Sequence, residues 1–218
     1  MENKHTVLVF DLDGTLIDST PKLTGEVIRA FAKLGKDISE KQIIPNKRWY
    51  ELAAQYGIPK EDFKREFDKR KSWEDSLRDG EVPLFSDALP CLETLLNRGV
   101  TLAALTRSAP EYTKAKMDFH RLEKYFEDRV AITPITAKSK RIEAIGLMER
   151  IGCESIKCAY FIGDRTEDIV LAKEISNLYD FIKTNGIYIN REELPIPEEV
   201  RTYPAVKSLA EIHAIIGE

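Results

Sequence analysis

The 218-residue chain has only three cysteines and three histidines. Cys91 falls in a helical pattern, while Cys153 and Cys158 flank the approach to a strand-like run. An odd count without a regular framework excludes a disulfide-stapled secreted fold. No histidine or second cysteine pair completes a zinc set, and His5, His120 and His213 are far apart. No apolar run approaches the roughly 20 residues that cross a bilayer. The run after Met1-Glu2-Asn3-Lys4-His5 ends at Phe10, too soon for a secretory core segment, so the expected location is cytoplasmic with no membrane partner. Neither sign of charge dominates: 33 Lys and Arg stand against 37 Asp and Glu, a formal charge of −4. That scattered balance gives no electrostatic reason to expect nucleic acid. Repeats and Pro, Gly or Ser tracts are also lacking. What the chain has is 43% hydrophobic residues, enough to bury a sizeable core. Its length suits one large domain or a core with an insert.

Thr6-Val7-Leu8-Val9-Phe10 is a continuous apolar, β-rich run, the pattern of a parallel strand buried on both faces. Similar runs cover 100–105, 130–133, 158–162 and 186–189. Helical patterns separate them, with Leu89, Leu92 and Leu96 forming one stripe and Ile142, Ile145 and Met148 another. This alternation predicts an α/β fold with right-handed crossovers and an active site at the carboxyl ends of the strands.

Between the first and second strands lies far more chain than one crossover requires. Leu23, Val27, Ala30, Phe31 and Leu34 share a helical face that starts near Thr20-Pro21. Ser39 and Gln42 fit a capping box, and Trp49, Leu52, Ala53 and Tyr56 form another stripe. The charged stretch 60–78 presents Phe63, Phe67 and Leu77 as a buried side and is otherwise a solvated face. Residues 18–82 therefore form an inserted helical domain, leaving 1–17 and 83–218 as the sheet domain. The tail from Tyr203 reads as a closing helix with Ser208 and Glu211 as a capping box.

Acids cluster at two strand ends. Asp11-Leu12-Asp13-Gly14-Thr15 follows the first run, and Gly14 permits the backbone to turn there. An EF-hand is excluded because the glycine comes at the fourth position and the later glutamate is missing. Gly163-Asp164-Arg165-Thr166-Glu167-Asp168 follows the fourth run. If those strands are neighbours, Asp11, Asp13, Asp164 and Asp168 share one mouth, and so many carboxylates call for a cation such as Mg²⁺. The second run ends in Thr106-Arg107-Ser108, where Thr106 and Arg107 are candidate phosphate ligands. Ser108 and Glu111 fit a capping box with Pro110 in the first turn. Lys138 precedes the next helix and could offset phosphate charge.

Taken in order, these segments resemble the haloacid dehalogenase superfamily, specifically its phosphoglycolate-phosphatase-like branch. The matching residues are Asp11/Asp13, Thr106, Lys138 and Asp164/Asp168, opening with Phe-Asp-Leu-Asp-Gly-Thr-Leu-Ile-Asp-Ser. The family's lysine often stands before proline, whereas here Ser139 follows, so Lys138 and Lys140 both stay open. The register of the following helix favours Lys138. The resemblance implies an α/β, three-layer Rossmann-like parallel sheet core with an inserted α-helical cap domain of type C1. It further implies a Mg²⁺-dependent phosphatase acting on a small phosphorylated metabolite, as a monomer or homodimer. Asp11 would be the nucleophile and Asp13 the acid and base. The metal would be held by Asp11, the Asp13 carbonyl and Asp164, with Asp168 supporting it. Thr106 and Lys138 would hold the phosphoryl oxygens.

The nearest alternative is a sugar phosphomutase resembling β-phosphoglucomutase. Dehalogenation is disfavoured because dehalogenases lack an acid at the position of Asp13. Phosphonate cleavage would need a Schiff-base lysine in the cap, for which Lys47 is the one candidate. A phospho-acceptor signalling module or a binding-only relative is more distant. Substrate choice is expected to lie with the insert, where Lys47 and Arg48 could meet a carboxylate or second phosphate.

Overall fold

Apolar strands of this length can bury both faces only between layers of helices, and the chain adopts that arrangement. The computed structural model describes residues 4–43, 49–134 and 136–217. They divide into two compact units, Met1–Asp18 with Leu84–Glu218, and Ser19–Pro83. The first opens with β1 (His5–Phe10), and the second contains α1 (Thr20–Lys33), α2 (Trp49–Gln55), α3 (Lys60–Phe67) and α4 (Trp73–Arg78). The first unit resumes with α5 (Ala88–Asn97), β2 (Thr101–Thr106), α6 (Pro110–His120), α7 (Glu123–Phe126) and β3 (Val130–Ile132). It continues through α8 (Arg141–Ile151), β4 (Ile156–Gly163), α9 (Thr166–Ser176), β5 (Lys183–Ile189), β6 (Ala205–Val206) and α10 (Ile212–Ile215).

Among the described residues the six strands form one parallel sheet in the order β3-β2-β1-β4-β5-β6. Successive strands run outward from β1 to β3 on one side and from β4 to β6 on the other. The order therefore reverses between β1 and β4, which is where a crevice opens in such sheets. Phe10 pairs with both Ala104 of β2 and Ile162 of β4, so β1 ends beside the last residues of its two neighbours, which run on to Thr106 and Gly163.

Side chains alternate along β1. Val7 and Val9 join Leu147 and Met148 of α8 and Leu171 and Ile175 of α9 in one core. Phe10 faces the opposite side, with its ring centroid 6.5 Å from that of Phe126. There α5 and α7 pack against β2. The helix faces differ from the expected stripes. On α5 the buried set is Ala88, Cys91, Leu92 and Leu95, with Leu96 exposed; on α8 it is Ala144, Leu147 and Met148, with Ile142 exposed. Apolar residues at several positions of each helix offer two overlapping phases, and the face that is buried includes the small residues Ala88 and Ala144. The expected closing helix is instead β6, a 3₁₀ turn at Leu209–Glu211 and the single turn α10, although the Ser208–Glu211 capping box forms.

The chain leaves and re-enters the first unit through a short ribbon, with Ile17 bridged antiparallel to Leu84 and parallel to Asp13. The Phe85 amide donates to the Leu16 carbonyl at 3.0 Å, closing that ribbon. Arg191 fastens it by donating to the Thr15 carbonyl (2.9 Å) and to both carboxylate oxygens of Asp87 (2.9 and 3.0 Å). Ser208 Oγ and the Leu209 amide also donate to Asp87.

The second unit has its own core: Val27, Ala30 and Phe31 of α1, Leu52 and Ala53 of α2, and Phe63 of α3. Phe31 meets Tyr56 and Phe63 edge-on, with ring centroids 5.4 Å apart in each case. The charged stretch is the solvated face that its composition suggests, with exposed ion pairs Lys64–Asp68, Arg65–Asp62 and Lys69–Glu66. Such solvent-screened pairs add little to stability.

Candidate active site

The loop after β1 turns because one carbonyl collects several amides. Leu12 O accepts from the amides of Thr15 (3.3 Å), Leu16 (2.9 Å) and Ile17 (2.9 Å). Gly14 has φ +82°, a conformation that side-chain-bearing residues disfavour, and a Cβ there would also overlap the Asp164 carboxylate. Glycine is thus needed twice over. The Asp11 amide donates to the Ile162 carbonyl of β4 at 2.8 Å, tying the two acidic loops together.

Asp11, Asp164 and Asp168 each offer a carboxylate oxygen, and the three oxygens lie within 4.8 Å of one another. Asp11 and Asp168 are buried, Asp164 partly so. The Gly163 Cα sits so close to Asp168 that any Cβ would overlap its side chain. Burial pushes the Asp164 carboxyl up to about 6, helped by the Asp11 charge and opposed by Arg165. Burial also pushes Asp168 up, against the pull of the Lys140 ammonium from which it accepts a hydrogen bond.

The cation among these acids is Lys140, not Lys138. Lys140 is 2% exposed and donates to Asp11 Oδ1 (2.9 Å), Asp168 Oδ1 (2.6 Å) and the Leu105 carbonyl (3.0 Å). Burial alone would lower its pKa, but the Asp11 and Asp168 charges outweigh that and hold the ammonium above its ordinary range. Lys138 is exposed. The helix starts at Arg141 with Lys140 as its N-cap, so Lys140 is the last loop residue and reaches inward, whereas Lys138 stays outside.

Thr106 ends β2 and is buried, its Oγ1 accepting the Ser108 amide at 3.1 Å. Arg107 does not join the acids. It grips Glu167 through Nε (2.8 Å to Oε1) and NH2 (2.7 Å to Oε2), while NH1 donates to the Pro134 and Ala137 carbonyls. A guanidinium fork matches a carboxylate bidentately, so Arg107 clamps the loop after β3 to α9 instead of remaining available to phosphate. The Ser108–Glu111 capping box does not form; α6 is capped by Ala109, and Ser108 Oγ donates to Asp13 Oδ2 at 2.6 Å. Lys116, wholly buried on α6, donates to the same Asp13 oxygen at 2.6 Å. Sequence reasoning passed over Lys116, although its place beside Met117 and three residues after Thr113 puts it on the buried side of its helix. Lys47 and Arg48 lie outside the described residues.

The profile described as "Haloacid dehalogenase-like hydrolase" matches residues 8–177, well over half the chain. The chain belongs to that family. This haloacid dehalogenase-like hydrolase is 27% identical over 179 residues to "Probable phosphatase IndB" of Dickeya dadantii, spanning 77% of this chain and 76% of that protein. It is 23% identical over 181 residues to a phosphoglycolate phosphatase of Pseudomonas fluorescens. That match spans 77% of this chain and 65% of the relative, slightly less than two thirds of its length. In fold it resembles a haloacid dehalogenase-like family hydrolase from Streptococcus pneumoniae, with a TM-score of 0.74, 18% identity and coverage of 98% and 99% of the two chains. The family match begins within β1 and extends past α9, so it includes every member of the acid cluster and Lys140. Among the described residues no helix is long and apolar enough to cross a membrane.

Proposed function

We propose that this hydrolase is a Mg²⁺-dependent phosphatase that cleaves a small phosphorylated metabolite through an aspartyl-phosphate on Asp11. The observation that carries the reading is the set Asp11, Asp164 and Asp168 around Lys140 at the switch point of the sheet. Three carboxylates face one buried ammonium, an excess of negative charge in a partly desolvated place, and hard oxygen donors suit Mg²⁺. Asp11, Asp164 and the Asp13 carbonyl would hold it. Asp168 supports the site from behind, because its oxygens already accept from Lys140 (2.6 Å) and the Arg165 amide (3.2 Å). Bound there, the metal would supply polarisation of phosphoryl oxygens and would offset charge between nucleophile and phosphate.

In the first step an Asp11 oxygen attacks phosphorus, and the ester P–O bond breaks as Asp13 protonates the departing oxygen. In the second, water attacks the aspartyl-phosphate, gives its proton to Asp13, and releases inorganic phosphate with Asp11 restored. Thr106 and Lys140 hold phosphoryl oxygens during in-line transfer. Lys140 takes the role that spacing favoured for Lys138, and Arg107 acts as a clamp. The unit Ser19–Pro83 serves as a cap that selects substrate, and the protein works in the cytoplasm on a freely diffusing ester. The phosphoglycolate phosphatases among the relatives favour phosphorylated small acids such as phosphoglycolate in a first panel.

The test is phosphate release from such a panel with Mg²⁺ and with chelator. Wild type is expected to release phosphate only with the metal, and Asp11→Asn none at all. Full activity in Asp11→Asn removes the nucleophile assignment. Isomerised sugar phosphate with little free phosphate would indicate a mutase.

A further inference from the structure

Asp13 must present a carboxyl group in one orientation if it is to protonate one ester oxygen, so its side chain has to be held. Two groups from elsewhere in the chain do so. Ser108, two residues past β2, donates its hydroxyl to Asp13 Oδ2 at 2.6 Å. Lys116, two turns further along α6, donates to the same oxygen at 2.6 Å and to Ser108 Oγ at 2.6 Å. The three side chains close a triangle from three separate segments. The Lys116 side chain is 0% exposed, whereas that of Asp13 is 23% exposed.

A lysine buried to this degree has lost its hydration, and proteins tolerate that only against a well-made partner. If its task were only to pin α6 to the sheet, any carboxylate on any face would serve. The partner here is the acid two residues from the nucleophile. We propose that Lys116, acting with Ser108, is the positioning residue for Asp13, holding its carboxyl in the orientation that delivers a proton to the leaving group. This rests on the phosphatase reading above. The proton travels from Asp13 to the ester oxygen as the P–O bond breaks and that oxygen keeps the bonding pair. Asp13 is left as a carboxylate, already hydrogen-bonded by Lys116 and Ser108, so no new arrangement has to form at that moment. Lys116 itself touches neither phosphorus nor the leaving oxygen.

The experiment compares kcat/KM, which reports steps through P–O cleavage, for two esters. One is 4-nitrophenyl phosphate, whose phenolate departs without help; the other is an alkyl phosphate that wild type accepts, whose alkoxide does not. Lys116→Met is expected to lose on the order of a hundredfold on the alkyl ester and less than tenfold on the nitrophenyl ester. Ser108→Ala, which leaves the buried lysine in place, is expected to show the same bias to a smaller degree, and it decides the matter if Lys116→Met does not fold. Equal losses on both esters in the variants overturn the inference and leave Lys116 a packing residue. If wild type turns over neither 4-nitrophenyl phosphate nor any alkyl phosphate tried, the phosphatase reading falls and this inference with it.

Discussion

Exchanging the two candidate lysines one at a time separates the spatial argument from the spacing argument. Lys140→Met removes an ammonium that stands 2.9 Å from Asp11 Oδ1 and 2.6 Å from Asp168 Oδ1. At an effective dielectric of about 20, each of those pairs attracts by roughly 6 kcal/mol, against a desolvation cost of several kcal/mol per ion. Deleting one partner of a buried pair leaves the other uncompensated, with a net loss of about 3–5 kcal/mol. With a urea slope of about 2 kcal/mol per molar, the midpoint falls by roughly 1.5–2.5 M. Phosphate release falls by about 10²–10³-fold if Lys140 stabilises charge in the transition state. Added Mg²⁺ should narrow the stability gap, because a cation bound by the same acids favours the folded state. Lys138→Met, at an exposed position, is expected to change stability by no more than about 0.5 kcal/mol and to leave phosphate release intact. The measurements are urea unfolding by circular dichroism and phosphate release at saturating metal. A Lys138→Met protein that is inactive beside an active Lys140→Met protein would refute the reasoning.

Two further outcomes concern Asp87 and a pair of glycines. Burial pushes the Asp87 carboxyl up, but Arg191, Ser208 and the Leu209 amide outweigh this and hold it below its ordinary range. A lowered folded pKa contributes stability that is present above the unfolded value of about 3.9 and lost as pH falls through the folded one. Asp87→Asn should therefore cost on the order of 1 kcal/mol near neutrality after solvent screening, with the gap closing in acid; a gap constant with pH removes the linkage. Gly163→Ala drives a Cβ into Asp168 and should destabilise by about 1–3 kcal/mol, whereas Gly25→Ala, in open space within α1, should stabilise by about 0.5–1 kcal/mol. Equal melting shifts in the two proteins would contradict both.

The sheet was legible because its strands are unbroken apolar runs, and the two acidic loops because each directly follows one. β6 was not, since two residues carry no period. The helix faces on α5 and α8 were read only in part, because apolar residues at several phases make the stripe ambiguous, and only contact with the sheet chooses among them. The middle of the site was harder to read. Whether Lys138 or Lys140 turns inward depends on where α8 begins, a matter of one or two residues that spacing does not decide. Ser108 has the sequence context of a helix cap but spends its hydroxyl on Asp13, and Arg107 looks like an anion ligand until Glu167 comes beside it. Each of these is fixed by a partner distant in sequence and adjacent only after folding.

The ribbon joining Ile17 to Leu84 has a consequence for how such a protein can diversify. Because the chain departs and returns through bridged neighbours, Ser19–Pro83 is for the sheet unit one long loop whose ends are already held together. Closing a loop twice as long costs only about 0.6 kcal/mol more. Mutation could enlarge, shorten or replace the insert at little expense to the sheet, so the insert could diversify while the acids and the buried lysine at the strand ends stayed as they were.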